Sequence, residues 1–76
     1  MKQFNVRLST VNDVKDFVKA VSLCDYDVDL ISGRYAVDAK SIIGIFSLDL
    51  AEQLTLKIHS DDCDDLLAEI DRFLAE

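Results

Sequence analysis

Apolar residues recur along this chain with two different spacings, and the order in which these spacings alternate limits the folds open to it. In residues 3–8, Phe4, Val6 and Leu8 lie on one side of an extended chain, with Asn5 and Arg7 on the other. This period of two predicts a β-strand with one face on a core. The same period returns in residues 27–32, 35–37 and 54–58.

Two other segments carry apolar residues at the helical spacing of three and four. These residues are Val14, Phe17, Val18 and Val21 in a helix ending near Cys24, and Leu66, Leu67, Ile70, Phe73 and Leu74 in a helix running to the end. Thr10 and Asp13 have the spacing of a capping box for the first helix, with Asn12 as a competing cap. Gly33 followed by Arg34 suits a type II′ turn between the second and third strands.

The resulting order is strand, helix, strand, strand, short helix, strand, helix. A hairpin of strands, with helices left to cover one face of the sheet, predicts an α+β domain of two layers. With 76 residues, half of them apolar, the chain forms one small domain, residues 1–76, and is not a disordered segment.

Charge and hydropathy exclude several classes of partner. Fifteen acidic residues against eight basic ones give a net charge of −7, which disfavours nucleic acid and anionic membrane surfaces. No apolar run is long enough for a signal peptide or a membrane span. Cys24 and Cys63 are too few and too far apart for a disulfide framework or a zinc site, so we expect reduced thiols in a cytoplasmic protein.

The acidic run in residues 61–65, Asp-Asp-Cys-Asp-Asp, lacks the glycine and the terminal glutamate of a calcium-binding loop. Acidic residues in the first turn of a helix interact favourably with its dipole, and we interpret the run in that way. We therefore predict no metal site, no cofactor and no catalytic residues, since no nucleophile, base and orienting group can be assembled from this sequence.

Residues 38–48, DAKSIIGIFSL, form the most specific motif in the chain. They resemble the A-K-S-[ILV]-[MLF]-G-[LIV]-[ML]-S-L run of the phosphocarrier family known as HPr, of the sugar phosphotransferase system. The resemblance extends in outline from Gln3 to Leu74. It implies an open-faced two-layer sandwich, in which a four-stranded antiparallel sheet carries three helices on one face.

The chain departs from that family at the start of the first helix. HPr carriers hold phosphate on a histidine in a G-L-H-A-R-P-A-like segment, whereas residues 9–13, STVND, contain neither histidine nor arginine. Thr10 would form a phosphoester that does not transfer readily, and Asp13 would repel a phosphoryl group. The only histidine, His59, lies at the end of the fourth strand, with no partner that its sequence spacing identifies.

Ser41 stands directly before residues 42–48, which contain more apolar side chains than one buried face of a helix can hold. Serine is a common N-cap residue of helices. The resemblance implies in addition that Ser41 is a regulatory site phosphorylated by a serine kinase of the family. Lys40 beside it would favour a phosphate. The resemblance also implies that Ile42, Ile43 and Phe46 surround an exposed docking surface, while Ile45 and Leu48 pack inward.

Two functions remain open from the sequence. The first is a non-carrier member of the family, a regulatory protein-interaction module that contacts protein partners through Lys40, Ile42, Ile43 and Phe46 and is controlled at Ser41. The second is a phosphocarrier whose acceptor has moved to His59. Self-association through the same apolar surface is a third arrangement that the sequence leaves open.

Overall fold

A computed structural model describes residues 2–51 and 53–75 of the chain. The first strand, β1 (Lys2–Val6), is followed by helix α1 (Val11–Val21) and by the hairpin of β2 (Val28–Ser32) and β3 (Tyr35–Asp38). Helix α2 (Ile42–Phe46), strand β4 (Leu54–Ile58) and helix α3 (Asp64–Glu69) come next. A 3₁₀ turn (Asp71–Phe73) and a two-residue strand, β5 (Leu74–Ala75), end the described chain.

All strands belong to one antiparallel sheet with the order β3-β2-β4-β1-β5. Strand β4 lies in the middle, and its Leu56 is paired with Phe4 on one side and with Leu30 on the other. The burial of β2 and β4 alternates strictly along the strand, with every second residue fully buried. This alternation is the expected pattern for a sheet with one covered face, and the predicted open-faced α+β fold with three helices is confirmed.

The helices cover that face with their apolar stripes. Helix α1 buries Val14, Phe17 and Val21 against the sheet. The ring of Phe17 meets the ring of Phe73 edge to face, with centroids 5.8 Å apart, which fixes the 3₁₀ turn against α1. None of the helices in residues 2–51 and 53–75 is long and apolar enough to span a membrane.

Local signals in the sequence place the element ends. The capping box that starts α1 is present in full, since the Thr10 hydroxyl accepts the Asp13 N–H and the Asp13 carboxylate accepts the Thr10 N–H. Asn12, the competing cap, lies inside the helix. Gly33 has a φ of 59° and, among the described residues, is alone in the left-handed region, as the first central position of a type II′ turn requires.

The C-terminal segment differs from the expected continuous helix. Helix α3 ends at Glu69, the chain tightens into the 3₁₀ turn, and Leu74 and Ala75 become a fifth strand paired with Val6 and Asn5. The Arg7 N–H also donates to the Phe73 carbonyl, at 2.8 Å. Pairing with the edge of β1 satisfies backbone groups that a longer helix would leave exposed, and the helical spacing of side chains cannot reveal it.

Truncating the middle of β4 tests this arrangement. We expect Leu56→Ala to lower the free energy of unfolding by about 2–5 kcal/mol, because it opens a cavity at a fully buried position. Thr55→Ala, on the less buried side of the same strand, should cost less than about 1 kcal/mol. Urea denaturation measures both variants.

Equal losses in the two variants would contradict the one-sided core. Should Leu56→Ala not fold, the smaller truncation Ile58→Val, expected to cost about 0.5–1.5 kcal/mol, gives the same comparison with Thr55→Ala.

Candidate functional site

Helix α2 is a helix of five residues that begins directly after Ser41. The Ser41 hydroxyl oxygen accepts the N–H of Gly44 at 3.2 Å, so this serine is the N-cap of the helix. At the other end the Ser47 hydroxyl donates to the Gly44 carbonyl at 2.6 Å. Ser41 itself is exposed to solvent. The serine predicted to carry a phosphate is therefore both a structural cap and accessible.

The apolar residues of α2 divide between the core and the surface. Ile45 is fully buried and Leu48, just beyond the helix, is 9% exposed. Ile43 and Phe46 lie on the opposite side and are 80% and 44% exposed. Ile42 differs from the expectation, because it is partly buried and packs against the core. The exposed apolar surface of α2 thus consists of Ile43 and Phe46, with Ile42 at its inner margin.

Gly44 holds α2 close to the sheet. A Cβ atom at this position would lie 3.3 Å from the Cβ of Val37 in β3 and 3.2 Å from the Ser41 hydroxyl oxygen, both tight contacts. The glycine in the middle of the motif therefore permits a close approach of the helix backbone to β3. This approach turns Ile45 inward and leaves Ile43 outside.

Lys40 is directed away from Ser41. Its Nζ donates to the backbone carbonyl of Cys24, 3.0 Å away in the segment after α1, and its own N–H donates to an Asp38 carboxylate oxygen. The lysine ties the α2 loop to the end of α1. A phosphate on Ser41 would have to compete with the Cys24 carbonyl for this ammonium group.

The start of α1 is closed by a side chain of the helix itself. The Asp13 carboxylate accepts the N–H groups of Ser9 and Thr10, at 3.1 and 3.3 Å. Free N–H groups at a helix start are the usual binding partners of an anion. In this chain an internal carboxylate already binds the N–H groups of Ser9 and Thr10, and the Asp13 N–H donates to the Thr10 hydroxyl, which the capping-box spacing of residues 10 and 13 could have revealed.

Two arginines flank the same helix start. Arg7 and Arg72 both line a cleft of about 510 Å³ that Ser9 and Asp13 also line. Arg72 is held by an ion pair with Asp16, at 2.6 Å, and lies over the Phe73 ring. Arg7 lies in the turn after β1. The hydrogen bond from its backbone N–H to the Phe73 carbonyl joins this turn to the 3₁₀ turn that contains Arg72, so both arginines line the same cleft.

His59 has a carboxylate partner that its sequence spacing did not identify. Its Nε2 lies 2.8 Å from an Asp29 carboxylate oxygen, and both side chains are about one-third exposed. The antiparallel pairing of β2 with β4 brings them together, because Asp29 is opposite Lys57 and the chain continues two residues to His59. This pair lies on the less buried side of the sheet, away from α1 and α2.

The remaining sequence candidates serve the fold. Asp64 and Asp65 occupy the first turn of α3, as the dipole argument predicts. Cys63 is buried at the start of that helix, and Cys24 is partly buried with its thiol donating to the Val21 carbonyl. In the part of the chain that the structure describes, no three histidine, cysteine or acidic side chains are grouped so that they could hold a metal ion.

Three solved structures of known proteins share the fold. HPr-C-His from Thermoanaerobacter tengcongensis has a TM-score of 0.79 and 22% identity, covering 95% of this chain and 89% of that one. The phosphocarrier protein HPr of Bacillus anthracis str. Ames has a TM-score of 0.73 and 23% identity, covering 97% and 96% of the two chains. A mycoplasma histidine-containing phosphocarrier protein has a TM-score of 0.75 and 14% identity, covering 93% and 89%.

Identities this low show the fold alone, and a search of curated proteins found no match. A family model decides the relationship. Residues 12–76 match the model described as the PTS HPr component phosphorylation site, which covers α1 from its second residue, the α2 motif and every later element. The chain therefore belongs to the HPr family of the phosphotransferase system.

Proposed function

We propose that this chain is a non-carrier member of the HPr family, a regulatory module that binds protein partners through α2 and is controlled by phosphorylation of Ser41. One observation carries the proposal. The start of α1, where the family's carriers hold phosphate, is closed by the Asp13 carboxylate, and residues 9–13 contain no histidine.

The closure acts against phosphoryl transfer in two ways. The N–H groups of Ser9 and Thr10 already donate to Asp13, so a phosphate would have to break both hydrogen bonds to use them. The carboxylate would also repel a phosphate dianion at short range. The hydroxyl of Thr10 is not a substitute for an imidazole, because it accepts the Asp13 N–H as the helix cap and would form a stable ester.

Helix α2 supplies the interaction surface. Ile43 and Phe46 are two large apolar side chains exposed within one turn of helix, and Ile42 adjoins them. Exposed apolar groups that cluster in this way favour contact with another protein. A second copy of the chain would place two bodies of charge −7 against one another, so a different protein is the better partner.

Ser41 gives this surface a point of control. Its hydroxyl is exposed at the start of α2, one residue from Ile42. Phosphorylation by a family serine kinase would add about two negative charges there at neutral pH. Because Lys40 is engaged with the Cys24 carbonyl, most of that charge would remain uncompensated beside the apolar surface. The expected consequence is a change in the choice of partner with little change in fold.

The His59–Asp29 pair favours a second candidate, a carrier with a displaced acceptor. An Nε2–H that donates to Asp29 leaves Nδ1 as the nucleophilic nitrogen, and the carboxylate would orient the ring. The hydrogen-bond partners of His59 in the described chain, Asp29 and Asp27, supply neither a helix start nor an arginine. Its nearest charged partner is an acid, which would repel an incoming phosphoryl group, so we place this candidate second.

Phosphoryl transfer separates the two candidates. We expect no phosphorylation when the protein is incubated with the family's upstream enzyme and labelled phosphoenolpyruvate, because residues 9–13 offer no histidine to accept the phosphoryl group. Stoichiometric acid-labile phosphate that disappears in His59→Gln would establish the displaced carrier instead. A phosphocarrier of known activity in the same mixture shows that the enzyme is competent.

A charge on α2 tests the docking surface. Phe46→Asp should leave the fold nearly intact, because the side chain is 44% exposed, and should abolish capture of the partner from lysate of the source organism. Ala36→Asp, which adds the same charge at an exposed position of β3, is the matched control and should leave capture unchanged. Undiminished capture by Phe46→Asp would locate the contact on another face.

Substitutions at Ser41 separate its two roles. Ser41→Ala should lower the free energy of unfolding by about 1 kcal/mol, since it removes the cap of α2. Ser41→Asp can still accept the Gly44 N–H, so it should keep the fold and change partner affinity several-fold through its charge. Mass spectrometry after incubation with a family serine kinase and ATP identifies the modification directly. If Ser41 is not modified and Ser41→Asp does not change the affinity for the partner, the serine acts only as the helix cap.

A further inference from the structure

A second exposed apolar feature lies between the end of α1 and α3. A groove of about 480 Å³ runs between these helices, and its apolar lining includes Ala20, Leu23, Leu66 and Ala68. Leu23 is 77% exposed, although it follows the last turn of α1 by only two residues. Such exposure of a large apolar side chain lacks an explanation in the packing of the domain itself.

The rim of this groove is acidic. Asp25, Asp65 and Glu69 line it, all three are exposed, and none of the residues that line it is a lysine or an arginine. Lys19 and Arg72 line the adjoining cleft, which shares Ala20, Leu23 and Glu69 with this groove. Arg72 is paired with Asp16, and Lys40 donates to the Cys24 carbonyl. The groove itself therefore combines apolar side chains with three carboxylates and has no lysine or arginine in its own lining.

Tyr26 also lines the groove and lies near its acidic side chains. Partial burial raises the pKa of its hydroxyl, and the neighbouring thiols and the carboxylates of Asp65 and Asp62 add to the rise. The phenol thus stays neutral. Its ring offers a face on which a cationic side chain can lie.

We propose that this groove docks a basic amphipathic segment of a protein partner. An apolar side chain of that segment packs on Leu23 and Ala68, and its lysines or arginines face Asp25, Asp65 and Glu69. Charge complementarity selects this occupant. A nucleic acid, an anionic membrane or a second copy of this acidic chain would meet repulsion at the rim, whereas the net charge of −7 steers a cationic segment toward it.

The proposed site is independent of the α2 surface. None of Ile42, Ile43 and Phe46 lines the groove, so the two proposed surfaces share none of these residues. Binding at one surface can therefore be lost while binding at the other is kept. A protein that loses its α2 partner through Phe46→Asp should bind the basic segment as before.

The test uses ¹⁵N-labelled protein and a helical peptide built only of leucine and lysine in an amphipathic pattern. We expect amide shifts confined to residues 20–26 and 65–69, with an affinity that falls as salt is added. A scrambled peptide of the same composition should bind far more weakly. Shifts spread over the whole acidic surface, or equal binding of the scrambled peptide, would overturn the proposal.

Matched variants locate the contact. Asp64 and Asp65 are adjacent and exposed in the first turn of α3, but only Asp65 lines the groove. Asp65→Asn should weaken binding about two- to fivefold, the loss expected for one exposed ion pair, while Asp64→Asn should leave it within error. Leu23→Ser should weaken it about tenfold or more through the lost apolar contact. Equal effects of the two aspartate variants, or no effect of Leu23→Ser, would contradict the assignment.

Discussion

The burial of one face of β4 is the constraint on which the rest of this structure depends. This strand is hydrogen-bonded to β1 on one side and to β2 on the other, and Leu54, Leu56 and Ile58 are completely buried. Their side chains need a cover that the strands themselves cannot supply. Helix α1 contributes Phe17 to the same core, and α2 and α3 contribute Ile45 and Leu66. The positions of α1 and α2, and hence the proposed site, follow from that requirement.

Once α1 and α2 are fixed on the sheet, their outward residues decide what the surface can do. At α1 the N–H groups of Ser9 and Thr10 donate to Asp13, which places a carboxylate at the helix start, where an anion would bind. At α2 the cap is the uncharged hydroxyl of Ser41, and Ile43 and Phe46 remain exposed. The same backbone feature, a capped helix start, is therefore closed in one helix and open to modification in the other.

Much of this organisation could be predicted from the sequence. The alternation of Leu54, Leu56 and Ile58 predicted β4, which ends one residue before His59, and Thr10 with Asp13 predicted the cap of α1. These signals are local, since a strand period or a capping box lies within a few residues of chain.

The features that the sequence did not predict all join distant segments. The His59–Asp29 hydrogen bond spans 30 residues and exists only because β2 and β4 pair in one particular register. Strand β5 likewise depends on the free edge of β1, and the direction of Lys40 depends on where α1 ends. Hydropathy periods describe each segment separately and contain no information about which segments become neighbours.

The most direct test of the account is whether Asp13 excludes phosphate from the start of α1. Inorganic phosphate, titrated into ¹⁵N-labelled protein against chloride at equal ionic strength, should leave the amides of Ser9 and Thr10 unshifted. In Asp13→Ala, with its fold verified from the same spectra, both N–H groups lose their acceptor and should shift on addition of phosphate. Equal phosphate affinity at these amides in the two proteins would contradict the closed helix start and, with it, the non-carrier assignment.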